Sequence, residues 1–94
     1  DGGIQRGTDI LKSIALGANA VAIGKLQCWG LAAAGSEGLV RVLEILEDEM
    51  ITAMALLGVT SMGELSSEYV CSAIPVTNPH EMSSWVNIPG NRIL

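Results

Sequence analysis

A pair of adjacent glycines set just ahead of a well-marked helix constrains this chain more than any other feature. The stretch reads Asp1-Gly2-Gly3-Ile4-Gln5-Arg6-Gly7-Thr8-Asp9. Two glycines in a row let the backbone turn sharply and bring its N–H groups close to an anion. Thr8 or Asp9 then supplies a cap for a helix running to about Leu16, with Ile10, Leu11, Ile14 and Ala15 along one face. The positive end of that helix's dipole points back at the turn. A glycine turn feeding a helix start is an arrangement for holding a phosphate. The chain starts within this motif, without a strand ahead of it, and is read as the last part of a larger protein.

Gly17 is placed to stop the first helix in a left-handed conformation. Ala20-Val21-Ala22-Ile23 follows, bounded by Asn19 and Gly24. Its shortness and β-branched content predict a strand buried on both faces. A helix leading at once into a buried strand is half of a βαβ unit, and such strands pair in parallel. Small residues from Gly30 to Gly35 predict a loop. Ser36 and Glu37 open a long helix that ends at Leu57, with Gly58 as its stop. Leu39, Leu43, Leu46, Met50, Met54 and Leu57 form one stripe, widened by Val42, Ile45 and Ala53. Glu44, Glu47 and Asp48 fall mostly opposite, as a wet face. Ser61 and Glu64 predict a short capped helix. From Ser66 the pattern fades, and Pro75, Pro79 and Pro89 divide the remainder into extended pieces. Val70, Ile74, Val76, Trp85, Val86 and Ile88 give that tail an apolar surface for docking. Two regions result: a segment carrying the loops over residues 1–65 and an extended tail over 66–94.

Composition narrows the function. Apolar residues make up 49% of the 94 positions and charged residues only 16%. A self-sufficient small domain carries more charge to cover its surface, so these helices are expected to bury more than one face against a further body of protein. The net charge of −5 argues against a nucleic-acid surface. No apolar run approaches the roughly 20 residues that span a bilayer, and no signal-peptide pattern opens the chain. Cys28 and Cys71 lie far apart without metal-ligand spacing. Two free thiols in a reducing cytoplasm is the simpler reading, with a disulfide as the alternative. The expected compartment is therefore the cytoplasm, any targeting segment lying upstream.

Two loops carry the chemistry: the one at Gly2-Gly3 and the one after Ile23. Each is expected to follow the carboxyl end of a strand. In a (β/α)8 barrel the loops after the last two strands are where phosphate commonly sits. The spacing of elements predicts that this α/β chain supplies the seventh helix, eighth strand and eighth helix of such a TIM barrel, plus a tail. An open doubly wound sheet is the competitor, but its G-x-G-x-x-G turn is absent.

The run from Asp1 through Ala18, with its Asp1-Gly2-Gly3-Ile4, Arg6-Gly7-Thr8-Asp9-Ile10 and Ala15-Leu16-Gly17-Ala18 steps, resembles the signature of the FMN-dependent α-hydroxy-acid oxidases and dehydrogenases. Leu56-Leu57-Gly58-Val59-Thr60-Ser61 and Glu64-Leu65 extend the likeness to about residue 70. Looser versions of the theme occur in inosine-monophosphate dehydrogenase, glutamate synthase and type 2 isopentenyl diphosphate isomerase. The resemblance implies FMN at the barrel mouth and a small 2-hydroxy acid oxidised to a 2-keto acid. It implies that Asp1, Gly2 and Gly3 line the phosphate and ribityl side and that Gly24 lets the second loop approach closely. The two positions where the family usually has phosphate-binding arginines fall on Gln5 and Lys25, a departure from the pattern. Glutamine has no charge, and lysine is a point charge where arginine is a planar fork.

The family's histidine base and substrate-binding arginine belong to a His-Gly-Xaa-Arg motif that this chain does not contain, so no catalytic residue and no metal ligand is assigned here. His80 reads as a surface or packing residue. Lys12 reads as solvated, and Trp29 and Trp85 as packing anchors. The partner implied is the rest of the barrel, from the same or another chain. A homo-oligomer is the further expectation, since the family often forms tetramers. The 94-residue piece alone is expected to be inactive. The rival readings are a truncated, non-catalytic relative and a segment of another phosphate-binding barrel enzyme.

Overall fold

A computed structural model describes residues 1–74 of the chain. Its elements are helix α1 (Gly7–Ala15), helix α2 (Leu26–Leu57) and two 3-10 turns, Met62–Glu64 and Ser67–Tyr69. Pro75, Pro79, His80, Trp85, Val86, Ile88 and Pro89 lie outside the described residues.

α1 forms where its apolar spacing puts it, but its cap differs from expectation. Arg6, in extended conformation, is the N-cap, and Asp9 is the third helical residue. The Asp9 carboxylate reaches back and accepts the backbone N–H of Arg6 at 2.9 Å. A carboxylate in the first turn serves the orphan amides and the dipole together. The far end closes as predicted. Gly17 takes a φ of 107° and its N–H donates to the Ile14 carbonyl.

α2 corrects the loop expected at residues 30–35. Helix begins at Leu26 and is interrupted only at Ala34 and Gly35, where the chain bends into a second arm. Gly35 sits at φ 62°, ψ −145°, a region that a side chain would strain. Across the bend Gly30 and Gly38 meet face to face. A methyl group on Gly30 would lie 2.6 Å from the Gly38 carbonyl oxygen. The small residues that suggested a loop therefore serve a tight helical fold-back. Gly58 ends the second arm in the left-handed region (φ 78°), as its position predicted.

α1 packs on α2. The contact is close because Gly7 is buried and has no side chain. A Cβ there would fall 2.6 Å from the Leu46 carbonyl oxygen and 2.7 Å from the Met50 nitrogen. Leu11 and Ala15 on α1, Leu46 on α2 and Val59 just beyond it are the buried apolar side chains among the described residues. The predicted stripe of α2 is thus only partly covered. Leu46 is buried, Leu39, Val42, Met50, Ala53 and Met54 are half-buried, and Leu43, Ile45 and Leu57 are exposed. Leu16 and Leu56 are 70% and 85% exposed, a large apolar surface for so few residues.

Three further expectations differ from what the described residues show. Residues 20–23 form no strand: Val21 and Ile23 are half-buried, and Ala20 and Ala22 are exposed. A ladder needs the backbone groups of a neighbouring strand, and the described residues contain none. The (β/α)8 architecture is accordingly not displayed by these residues, which are helical and irregular. At the 3-10 turn Met62–Glu64 the Ser61 side chain makes no capping bond. Glu64 instead accepts from the Thr60 N–H at 2.7 Å. That bond, with others to Thr60 and Ser61, holds its carboxyl below the ordinary glutamate range. Residues 66–74, expected to begin an extended tail, include the second 3-10 turn, which packs against α1.

Candidate functional site: a cavity walled by two glycine loops

The two loops singled out in the sequence face one another across a single cavity of about 650 Å³. Residues 1–6 form one wall; residues 22–26 and Trp29 form the other. Asp1, Gly2, Gly3, Gln5, Gly24 and Lys25 all lie on it. A cavity of this size falls within the range of small-molecule sites.

Each wall is held by its own helix. Gly2 and Gly3 take φ values of 85° and 75°, which turn the first wall sharply before α1. The Asp9 carboxylate binds the N–H groups of both Gln5 (3.0 Å) and Arg6 (2.9 Å). The Arg6 guanidinium pairs with Glu49 on α2, so it is directed at that helix. On the second wall the Cys28 thiol donates to the Gly24 carbonyl at 3.3 Å. The Trp29 N–H donates to the Lys25 carbonyl at 3.1 Å. The start of α2 thereby fixes the Gly24-Lys25 turn at the rim.

The chemistry of the walls suits a ligand with a charged end and an apolar body. A Cβ added at Gly2 or Gly24 would meet no atom within 4 Å, so both glycines present open backbone. Lys25 supplies positive charge and Asp1 negative charge at the rim, the Arg6 guanidinium being turned to Glu49. Ile4, Ala22, Ile23 and Leu26 make the remainder apolar. Sequence reasoning missed Trp29, which was expected to be a packing anchor. It is 52% exposed and lines the cavity. Its closeness to Gly24 and Lys25 in the sequence was the available signal; that a helix begins at Leu26 is seen only in the structure. Cys28 was missed, and of Asp9 only a capping role was expected; its bond to the Gln5 N–H depends on the path of the loop and is not announced by residue type. Among the described residues there is no cluster of metal-ligating side chains, and Cys28 and Cys71 are both free and exposed. No described helix is long and apolar enough to cross a membrane.

Comparison with known proteins gives the family. Residues 1–72 match the family model of the FMN-dependent dehydrogenases. A 2-hydroxyacid oxidase from Dictyostelium discoideum is 47% identical over 70 residues, 74% of this chain and 18% of that protein. An L-lactate oxidase from Nostoc sp. is 44% identical over 70 residues, 74% of this chain and 19% of that protein. A peroxisomal (S)-2-hydroxy-acid oxidase from Oryza sativa subsp. japonica is 50% identical over 70 residues, again 74% of this chain and 19% of that protein. No solved structure gives a significant match. The chain belongs to the FMN-dependent dehydrogenase family. It spans about a fifth of the length of these curated relatives.

Proposed function

We propose that this chain is the part of an FMN-dependent 2-hydroxy-acid oxidase or dehydrogenase that grips the flavin phosphate and closes the (β/α)8 barrel. The observation that carries the reading is the shared cavity. Two loops separated in sequence by residues 7–21, each with open glycine backbone, wall one space. On this reading the backbone of Gly2 and Gly3 approaches the phosphate and ribityl chain from one side, with Asp1 beside them. Gly24 keeps the opposite wall clear, Lys25 supplies positive charge to the phosphate, and Gln5 supplies an uncharged amide. FMN, when bound, supplies the two-electron acceptor for converting a 2-hydroxy acid to a 2-keto acid. This chain's residues bind and orient; the base and the substrate-carboxylate arginine come from the rest of the barrel.

The exposed apolar surface supports that partner. Leu16, Ile51 and Leu56 are more than half exposed, and covering them requires further packed helices and strands, whether from the same polypeptide or another. Residues 20–23 then become the eighth strand once flanking strands supply hydrogen bonds. Assembly into a homo-oligomer and a cytoplasmic setting are part of the same proposal. A second reading, a non-catalytic relative, is favoured only by Gln5 and Lys25 standing where arginines are usual.

Segment exchange tests the proposal. Residues 1–72 replace the matching stretch of the Dictyostelium relative. The expected product folds, retains FMN through purification and oxidises glycolate or lactate. A folded product that takes up no FMN overturns the reading. One that holds FMN without turnover favours the non-catalytic relative.

A further inference from the structure

Asp9 stands outside the cavity, yet it organises the wall that contains Gln5. Its Oδ2 accepts two backbone hydrogen bonds, from Gln5 N at 3.0 Å and Arg6 N at 2.9 Å. Its own N–H donates to the Arg6 carbonyl at 3.0 Å, and its carbonyl accepts from Ser13 Oγ at 2.9 Å. One residue thus ties the exit of the glycine loop to the first turn of α1. α1 is in turn seated on α2 through Gly7, whose neighbours there are backbone atoms of Leu46 and Met50. Arg6 is pinned to the same stretch of α2 through Glu49. The loop therefore leaves the cavity along a path set by three adjacent constraints, of which the Asp9 bonds act directly on the backbone of Gln5 and Arg6.

We infer that Asp9 is a positioning residue for the phosphate end of the flavin site, holding the Gln5-Arg6 peptide so that the Gly2-Gly3 turn forms the cavity wall. The inference rests on the proposed flavin reading. It assigns the amides of Gln5 and Arg6 to the Asp9 carboxylate and not to the ligand. The anion grip at α1 then comes from the loop ahead of Gln5 and from the opposite wall. An aspartate that merely capped the helix would contribute to stability alone. One that shapes the wall also contributes to the choice of ligand, because the loop meets the phosphorylated end and not the ring system.

The test compares FMN with riboflavin, which lacks the phosphate, in the full chain completed by the barrel of the Dictyostelium relative. Affinities are read from flavin fluorescence, and thermal unfolding is followed alongside. For Asp9→Ala the FMN-over-riboflavin affinity ratio falls on the order of tenfold, as loss of a charge-assisted bond implies. Riboflavin affinity stays within about twofold of the unsubstituted protein, since the ring end is untouched. Asp9→Asn keeps an acceptor oxygen without its charge and recovers part of the ratio, leaving a deficit of about threefold. A lowered melting temperature with an unchanged ratio overturns the inference and leaves Asp9 a cap. Where Asp9→Ala does not fold, Asp9→Asn decides: an unchanged ratio overturns the inference, and the threefold deficit supports it. An unsubstituted protein with no preference for FMN over riboflavin overturns the flavin reading itself, and the inference with it.

Discussion

Replacing Gly7 by alanine sets two effects of opposite sign against each other, and the structure decides between them. Alanine is the better helix former, by up to about 1 kcal/mol in a helix interior. Gly7 is the first residue of α1, and at an open position the change would stabilise. Here the new methyl group would lie 2.6 Å from the Leu46 carbonyl oxygen and 2.7 Å from both the Glu49 Cβ and the Met50 nitrogen. Ordinary contact begins near 3.4 Å. Two of the three neighbours are backbone atoms of α2, which no rotamer change can move. α1 must retreat by roughly 0.8 Å, from 2.6 Å to ordinary contact near 3.4 Å, and overpacking of this kind costs about 1–3 kcal/mol. The retreat also loosens Leu11 and Ala15, two of the few buried apolar side chains. The net expectation is a loss of roughly 1–2 kcal/mol. Urea unfolding of the flavin-free segment-exchange protein measures it, with the slope of the transition checked for constancy. A neutral or stabilised Gly7→Ala protein would refute the claim that α1 and α2 touch backbone to backbone at this point.

Four other expectations follow from the same geometry. Gly24→Ala adds a methyl group that meets nothing within 4 Å, so stability holds while FMN affinity, read by fluorescence titration, falls because the group intrudes on the cavity. Lys25→Arg, and separately Gln5→Arg, should each raise FMN affinity about tenfold by supplying a charged fork; unchanged affinity in both would remove these positions from the phosphate site. The bond from Thr60 N–H keeps the Glu64 carboxyl ionised below its ordinary range. Its contribution is therefore present above the unfolded glutamate value and lost as pH falls through the depressed folded value. The protection of the Thr60 amide, its exchange rate taken relative to that of an unstructured chain at the same pH, should fall on acidification in that window, and Glu64→Gln should abolish the dependence. The chain on its own, with Leu16, Ile51 and Leu56 exposed, should be helical, bind a hydrophobic dye and melt without a sharp transition; a cooperative melt would show that it packs unaided.

The helices were legible in the sequence because their determinants are local. Ile10, Leu11, Ile14 and Ala15 mark the inward side of α1, and Gly17 and Gly58 end the two helices as glycines in left-handed conformation do. The two loops were legible because glycine turns and helix starts are short-range signals, and both loops wall one cavity. The rest depends on partners distant in sequence. Residues 20–23 have strand composition but need a neighbour's backbone to become a strand. Residues 30–35 have loop composition, yet Gly30 is small because Gly38 packs against it across the bend at Gly35. Composition alone cannot separate a glycine needed for flexibility from one needed for closeness. Asp9 shows the same limit from the other side. It suits a helix cap by type, but its service to Gln5 and Arg6 appears only once the loop's path is known.

A crystal structure of the FMN-bound segment-exchange protein bears most directly on the account. The phosphate is predicted to lie between the two walls, within hydrogen-bonding distance of backbone in the Gly2-Gly3 turn and of the Gly24-Lys25 turn together. A phosphate bound elsewhere, or reached by only one of these loops, would contradict it.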